Sequence, residues 1–203
     1  MRVHFVKILI LFCLLVAGGA GYMLIKSPQH YKVDLTAPAV TNFTKDFAGV
    51  IVPKEVMMLP DEPIMLSDGR VKSFKSLIKG EWALVNLWAT WCAPCVTELP
   101  SLRDLQKQMP ALKIMALSFD NNKEIAALID FMKKNKVEDL TLAYDNALKI
   151  RRAITTRGLP TSLLVAPNGQ VLLILEGHTE WATPEARLFF ETIMQQPKTL
   201  TKS

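Results

Sequence analysis

Ala83-Leu84-Val85-Asn86-Leu87-Trp88-Ala89-Thr90-Trp91-Cys92-Ala93-Pro94-Cys95 decides how this chain is read. The first half is a nearly unbroken apolar run, the pattern of a strand buried on both faces. The second half delivers two cysteines, one helical turn apart, into a segment where Leu99, Leu102, Leu105 and Met109 recur at helical spacing. A strand that feeds Cys-x-x-Cys onto the start of a helix surrounds the first thiol with unpaired backbone N–H groups, which favour its thiolate. That context points to redox chemistry. Zinc modules also use Cys-x-x-Cys, but they need a second pair of ligands, and the only other cysteine is Cys13.

Working outward, the segments alternate. Upstream, Ile64–Ser67, the Asp68-Gly69 turn and Arg70–Ser73 predict a β-hairpin, because Asp-Gly supplies the positive φ that a tight turn needs. Downstream, the patterns predict a helix over Ala93–Met109, a strand over Lys113–Ser118 and a helix over Lys123–Asn135 capped by Asn121 or Asn122. A short strand near Leu140–Ala143 and a helix around Ala147–Ile154 follow. Gly158-Leu159-Pro160-Thr161 then leads into strands Ser162–Ala166 and Val171–Glu176, joined at Pro167-Asn168-Gly169. Thr183 as cap and Pro184 at the first helical position open a closing helix. Alternation of this kind argues for an α/β sheet.

Ahead of these elements, Ile8 to Ile25 carries no charge, with Arg2 and Lys7 before it and Lys26 after. The length and flanks are those of a membrane-spanning helix with its basic end inside the cell. Gly18-Gly19-Ala20 leaves the alternative of a cleaved signal peptide. Residues 27–46, with Pro28, Pro38 and scattered Thr, read as a poorly ordered tether; 47–197 as one domain; and 198–203 as a tail. Either fate of the N-terminus puts Cys92 and Cys95 outside the cytoplasm, where a disulfide persists unless electrons are supplied. Arg2, Lys7 and Lys26 are the charged residues of 1–26, so of 24 Lys and Arg, 21 remain against 19 Asp and Glu. With no basic stripe, the composition makes no case for nucleic acid.

The strand feeding Trp91-Cys92-Ala93-Pro94-Cys95, followed by Gly158-Leu159-Pro160-Thr161 before a hairpin, resembles the thioredoxin superfamily. Asn86 through Pro100 is most similar to its membrane-tethered extracytoplasmic branch, the TlpA, ResA and CcmG type. The resemblance implies a thioredoxin-like α/β fold: a mixed central sheet of four or five strands flanked by helices, extended by the N-terminal hairpin and a transmembrane anchor. Read alone, Gly158-Leu159-Pro160 is an ordinary turn; the resemblance implies that Pro160 is cis. Cytosolic thioredoxins carry an aspartate where this chain has Asn86, which neither accepts nor releases a proton. In the similar branch a glutamate three residues beyond the second cysteine is implicated, and Glu98 holds that position.

The chemistry follows from these residues. Cys92, its pKa held below the free value of about 8.5, is expected to be the exposed attacking thiolate, and Cys95, further in, the resolving thiol. Glu98, at i+3 from Cys95, is a candidate to take the Cys95 proton; the plainer alternative is a solvated acid early in a helix. Trp91 is expected to shape the exposed site and Trp88 to lie in the core. Leu159, Pro160 and Thr161 are expected to receive an extended client segment through backbone pairing, as the resemblance implies. His4, His30 and His178 lie too far apart in this scheme to build a site.

The reading is therefore an extracytoplasmic thiol:disulfide oxidoreductase on the inner membrane, facing the periplasm, with no cofactor and no resident metal. Its expected partners are a client protein with a disulfide or cysteine pair and a membrane thiol reductase as electron donor. The similar branch implies apocytochrome c or a copper protein as client. Thiol oxidase or isomerase work is the alternative, and a Cu(I)-binding metallochaperone another, since two thiolates suit a soft cation. Peroxidase chemistry fits poorly, because Val85 and Ala89 stand where Pro-x-x-x-Thr-x-x-Cys would need proline and threonine.

Overall fold

A computed structural model gives the architecture and describes residues 29–121, 123–145, 147–154, 156–196 and 199–200. The chain divides into a unit spanning His30–Thr199 and a second made of Met1–Gln29 with Leu200–Ser203; the nine-stranded sheet belongs to the first. The expected anchor at Ile8–Ile25 lies outside the described residues, as does most of the tail at 198–203. Among the described residues no helix is long and apolar enough to cross a membrane.

In order, the strands are β1 Gly49–Ile51, β2 Met57–Met58, β3 Pro63–Leu66, β4 Val71–Ser73, β5 Trp82–Trp88, β6 Leu112–Ser118, β7 Thr141–Tyr144, β8 Thr161–Val165 and β9 Gln170–Glu176. The helices are α1 Pro38–Thr44, α2 Phe74–Ile78, α3 Ala93–Gln108, α4 Ile125–Lys134, α5 Lys149–Ala153 and α6 Pro184–Gln195. β5 sits mid-sheet, parallel to β6 and antiparallel to β8. Its side chains alternate between two apolar layers: Leu84 and Trp88 pack with Leu99, Leu102 and Leu105 of α3, while Val85 and Leu87 pack with Phe74, Ile78 and Ile150. Burial on both faces is why the run is continuously apolar rather than alternating.

The sheet is mixed, as expected, but larger than four or five strands. Nine strands join in the order β1-β9-β8-β5-β6-β7-β3-β4, with β2 also on β9. The outer edges of β7 and β9 would otherwise present unpaired N–H and C=O groups. The predicted hairpin covers the first edge, with Met65 opposite Tyr144 and Gly69 turning at φ +78°. β1 and β2 cover the second, Val50 opposite Leu175 and Met57 opposite Val171.

Two further expectations are corrected. The tether reading of 27–46 fails from residue 30 onward. Pro38 does not interrupt the chain but occupies the start of α1, where its missing N–H costs nothing. Val40 and Phe43 are buried, the Phe43 ring lying 4.8 Å from Phe189 on α6 and 5.9 Å from Trp181. The Gln170 amide also pairs with both backbone groups of Tyr31, at 3.0 and 2.9 Å. Phe43→Ala is expected to cost about 3 kcal/mol of stability in urea denaturation, because it opens a cavity in the layer where Phe43 packs on Trp181 and Phe189.

The second correction concerns α4, which begins at Ile125 behind Glu124, with no side-chain cap from Asn121; Asn122 lies outside the described residues. The Tyr144 hydroxyl donates to the Lys123 carbonyl at 2.9 Å and accepts from its N–H at 3.3 Å, so that residue is held out of the helix. The closing helix follows its signal: Thr183 accepts from the Ala186 N–H at 3.1 Å.

Candidate active site

Pairing of Leu87 with Thr161 brings the end of β5 and the start of β8 to the same edge of the sheet. The Cys92 loop and Pro160 therefore leave the sheet side by side. The loop is fixed from below by buried Asp120, whose carboxylate accepts from the Thr90 N–H at 3.0 Å, the Thr90 hydroxyl at 2.7 Å and the Ser118 hydroxyl at 2.8 Å. No spacing in the sequence singles out Asp120, because Thr90, which it holds, lies on another strand's exit.

Cys92 is the N-cap residue of α3, and Pro94 lies in the first turn. Cys92 and Cys95 form a disulfide with their Cα atoms 5.3 Å apart. Cys95 is fully buried, as expected, but Cys92 is only 6% exposed, so the expectation of an exposed attacking sulfur is corrected for this oxidised state. The surface here is provided by Trp91, 64% exposed, with Ala93 and Pro94. Trp88 is fully buried, its ring 5.7 Å from that of Phe131.

The Leu159–Pro160 bond is cis. Pro160 is buried and its carbonyl accepts from the Gly177 N–H at 3.0 Å; Leu159 remains half-buried. Thr161 does not line a surface. It is buried within the sheet, and its hydroxyl donates to the Gly158 carbonyl at 2.7 Å, which secures the turn.

Glu98 is not a solvated acid. It is 1% exposed, one turn beyond Cys95 on the same helix. The Asn86 amide donates to one oxygen at 2.6 Å; the Trp181 indole N–H and the Thr179 backbone N–H donate to the other at 3.2 and 3.3 Å. Asn86 also donates to the Ser162 hydroxyl at 3.0 Å, and its own oxygen has no partner among the described residues. Burial pushes the Glu98 carboxyl up to about 7, against the opposing pull of the Asn86, Thr179 and Trp181 donors. Trp181, Thr179 and Ser162 escape the sequence reading, since each reaches Glu98 or Asn86 from a distant segment with no shared spacing.

Such an arrangement can cycle between a disulfide and two thiols, with a carboxyl that titrates near neutrality behind the inner sulfur. For a soft cation, Cys92 and Cys95 would be the ligands; among the described residues no three His, Cys, Asp or Glu gather as a metal site.

The model of the AhpC/TSA family matches residues 57–174. A thiol-disulfide oxidoreductase ResA of Bacillus cereus is 27% identical over 151 residues, 68% of this chain and 86% of that protein. ResA of Bacillus subtilis (strain 168) is 27% identical over 100 residues, 49% of this chain and 55% of that protein, so the match spans little more than half of it. A solved thiol:disulfide interchange protein of the thioredoxin family from Chlorobium tepidum TLS superposes with a TM-score of 0.55 at 22% identity, over 68% of this chain and 97% of the other.

Proposed function

This chain belongs to the AhpC/TSA family and is a thioredoxin-like thiol:disulfide oxidoreductase; from that premise we propose that it works as a reductant of client proteins on the outer face of the inner membrane. The observation that carries the reading is the burial of Cys95 and Glu98 in succession behind Cys92 at a helix start. In the reduced protein, the Cys92 thiolate attacks one sulfur of the client disulfide. That S–S bond breaks, the departing sulfur takes its electron pair and a proton, and a mixed disulfide remains. Cys95, its proton passed to Glu98, attacks the Cys92 sulfur and expels the second client thiolate, which is then protonated. Two electrons have moved from the chain to the client, whose two protons come from solvent and from Cys95 by way of Glu98, and Cys92–Cys95 is left as the disulfide.

A membrane thiol reductase is the proposed source of the two electrons that restore it. The uncharged run Ile8–Ile25 between basic flanks supports a single-pass anchor with the domain in the periplasm. Apocytochrome c, or the cysteines of a copper protein, are the proposed clients, by likeness to the extracytoplasmic branch.

The reduction potential of the Cys92/Cys95 pair, measured by thiol trapping across a redox buffer series, tests the direction of electron flow. A value near that of thioredoxin, about −270 mV, is expected; one towards about −120 mV would make the protein an oxidase instead. Failure to form the disulfide reversibly, with copper retained on purification, would favour the metallochaperone.

A further inference from the structure

Beside the cysteines lies a cleft of about 470 Å³ with a divided lining. Trp91, Phe119, Ile154 and Leu159 make its apolar side; Arg151, Arg152 and Arg157 make the other. No carboxylate is among the described residues that line it. Asp145 beneath α5 is spent on the helix, accepting from the Lys149 and Arg151 N–H groups at 2.9 and 3.0 Å. Glu176 neutralises Arg157 across 2.7 Å. Arg151 and Arg152 are exposed, and their guanidinium groups have no partner among the described residues. Two unpaired positive charges therefore face an apolar floor at the lip of the redox pair.

Resting on the reading of Cys92 and Cys95 as a reductant pair, we propose that this cleft selects clients by seating an extended acidic segment adjacent to the target disulfide. One apolar side chain of that segment packs on Trp91, Phe119 and Leu159, and its carboxylates face Arg151 and Arg152. A small anion would use the arginines and leave the apolar floor idle. A polypeptide uses both, and it meets a third feature: the Leu159 backbone has no hydrogen-bond partner among the described residues and offers an edge for extended pairing. Charges at such a rim act mainly on the encounter rate, and salt screens them.

The test uses the reduced full-length chain and three synthetic peptides that share one internal disulfide and differ only in flanking Glu, Gln or Lys. Neutral 2-hydroxyethyl disulfide serves as a fourth substrate. Exchange rates are expected to fall in the order Glu, Gln, Lys, about tenfold from first to last at low salt, and to converge near 0.5 M salt. The Arg151→Glu/Arg152→Glu double variant is expected to invert the order, and Arg151→Gln/Arg152→Gln to abolish it. Equal rates for the three peptides with the native chain, or an order that survives in both variants, would overturn the cleft's role while reduction of 2-hydroxyethyl disulfide keeps the redox reading standing. No exchange with any of the four substrates would overturn the redox reading and the cleft together.

Discussion

Serine in place of Cys95 is expected to stop turnover after one event and to leave the client covalently held through Cys92. The asymmetry of the pair dictates this. Cys92 caps α3 beside the exposed Trp91 and keeps some exposed surface even in the disulfide, whereas Cys95 sits a turn inside the helix with none. A client sulfur can reach the first and not the second. Without Cys95 the mixed disulfide has no internal thiol to attack it, and exchange must wait for an external one. A thiol-sensitive adduct on a non-reducing gel is the readout, present in Cys95→Ser and absent in Cys92→Ser, with catalysed reduction at background in both. An adduct that forms only in Cys92→Ser would transfer the attacking role to Cys95 and reverse the order of the two steps.

What the sequence discloses and what it withholds divide along a physical line. β5 is legible because burial on both faces writes itself into consecutive residues, and the turns at Gly69 and Gly169 are legible because each needs positive φ, +78° and +87°. The end of the tether is not legible. Val40 and Phe43 mark a buried face only once α6 supplies Phe189 and Phe190 opposite, and Pro38 serves equally as a breaker or as a helix start. The start of α4 depends on a hydroxyl from β7 that no local pattern announces. The site shows the same division. Cys92, Cys95 and Glu98 share one helix and are found by spacing, while the groups that set the state of Glu98 arrive from β5, β8 and the segment before α6. The cis bond at Pro160 looks like any Gly-x-Pro turn and is inferred from family likeness alone.

Glutamine at position 98 is expected to slow resolution of the mixed disulfide by roughly a hundredfold to a thousandfold near neutral pH, the usual weight of a positioned acid–base group. A carboxyl that titrates at about 7 is half ionised at neutrality and so both accepts the Cys95 proton and returns it. In the native chain the resolving rate should rise through that pH as the carboxylate forms. In Glu98→Gln the rise should move upward to wherever the Cys95 thiol ionises unaided. Asn86 accommodates either state of Glu98: its N–H donates to the carboxylate, and a half-turn of the amide would bring the now unpartnered oxygen round to accept from the acid. The same burial has a signature in stability. Because the folded-state value of Glu98 lies above its ordinary 4.5, the native state keeps a proton that the unfolded chain has released. The associated stabilisation, about 3 kcal/mol in total, is complete below about pH 4.5 and is lost as pH rises through about 7. Urea denaturation of the oxidised protein at pH 5 and pH 8 should show that decline in the native chain and not in Glu98→Gln, which holds no titratable proton there. Rapid-quench measurement of the resolving step across the same range supplies the kinetic half. Parallel pH profiles for the two proteins in both experiments would remove Glu98 from the proton path and leave the buried carboxyl as a purely structural hydrogen-bond acceptor for Trp181 and Asn86.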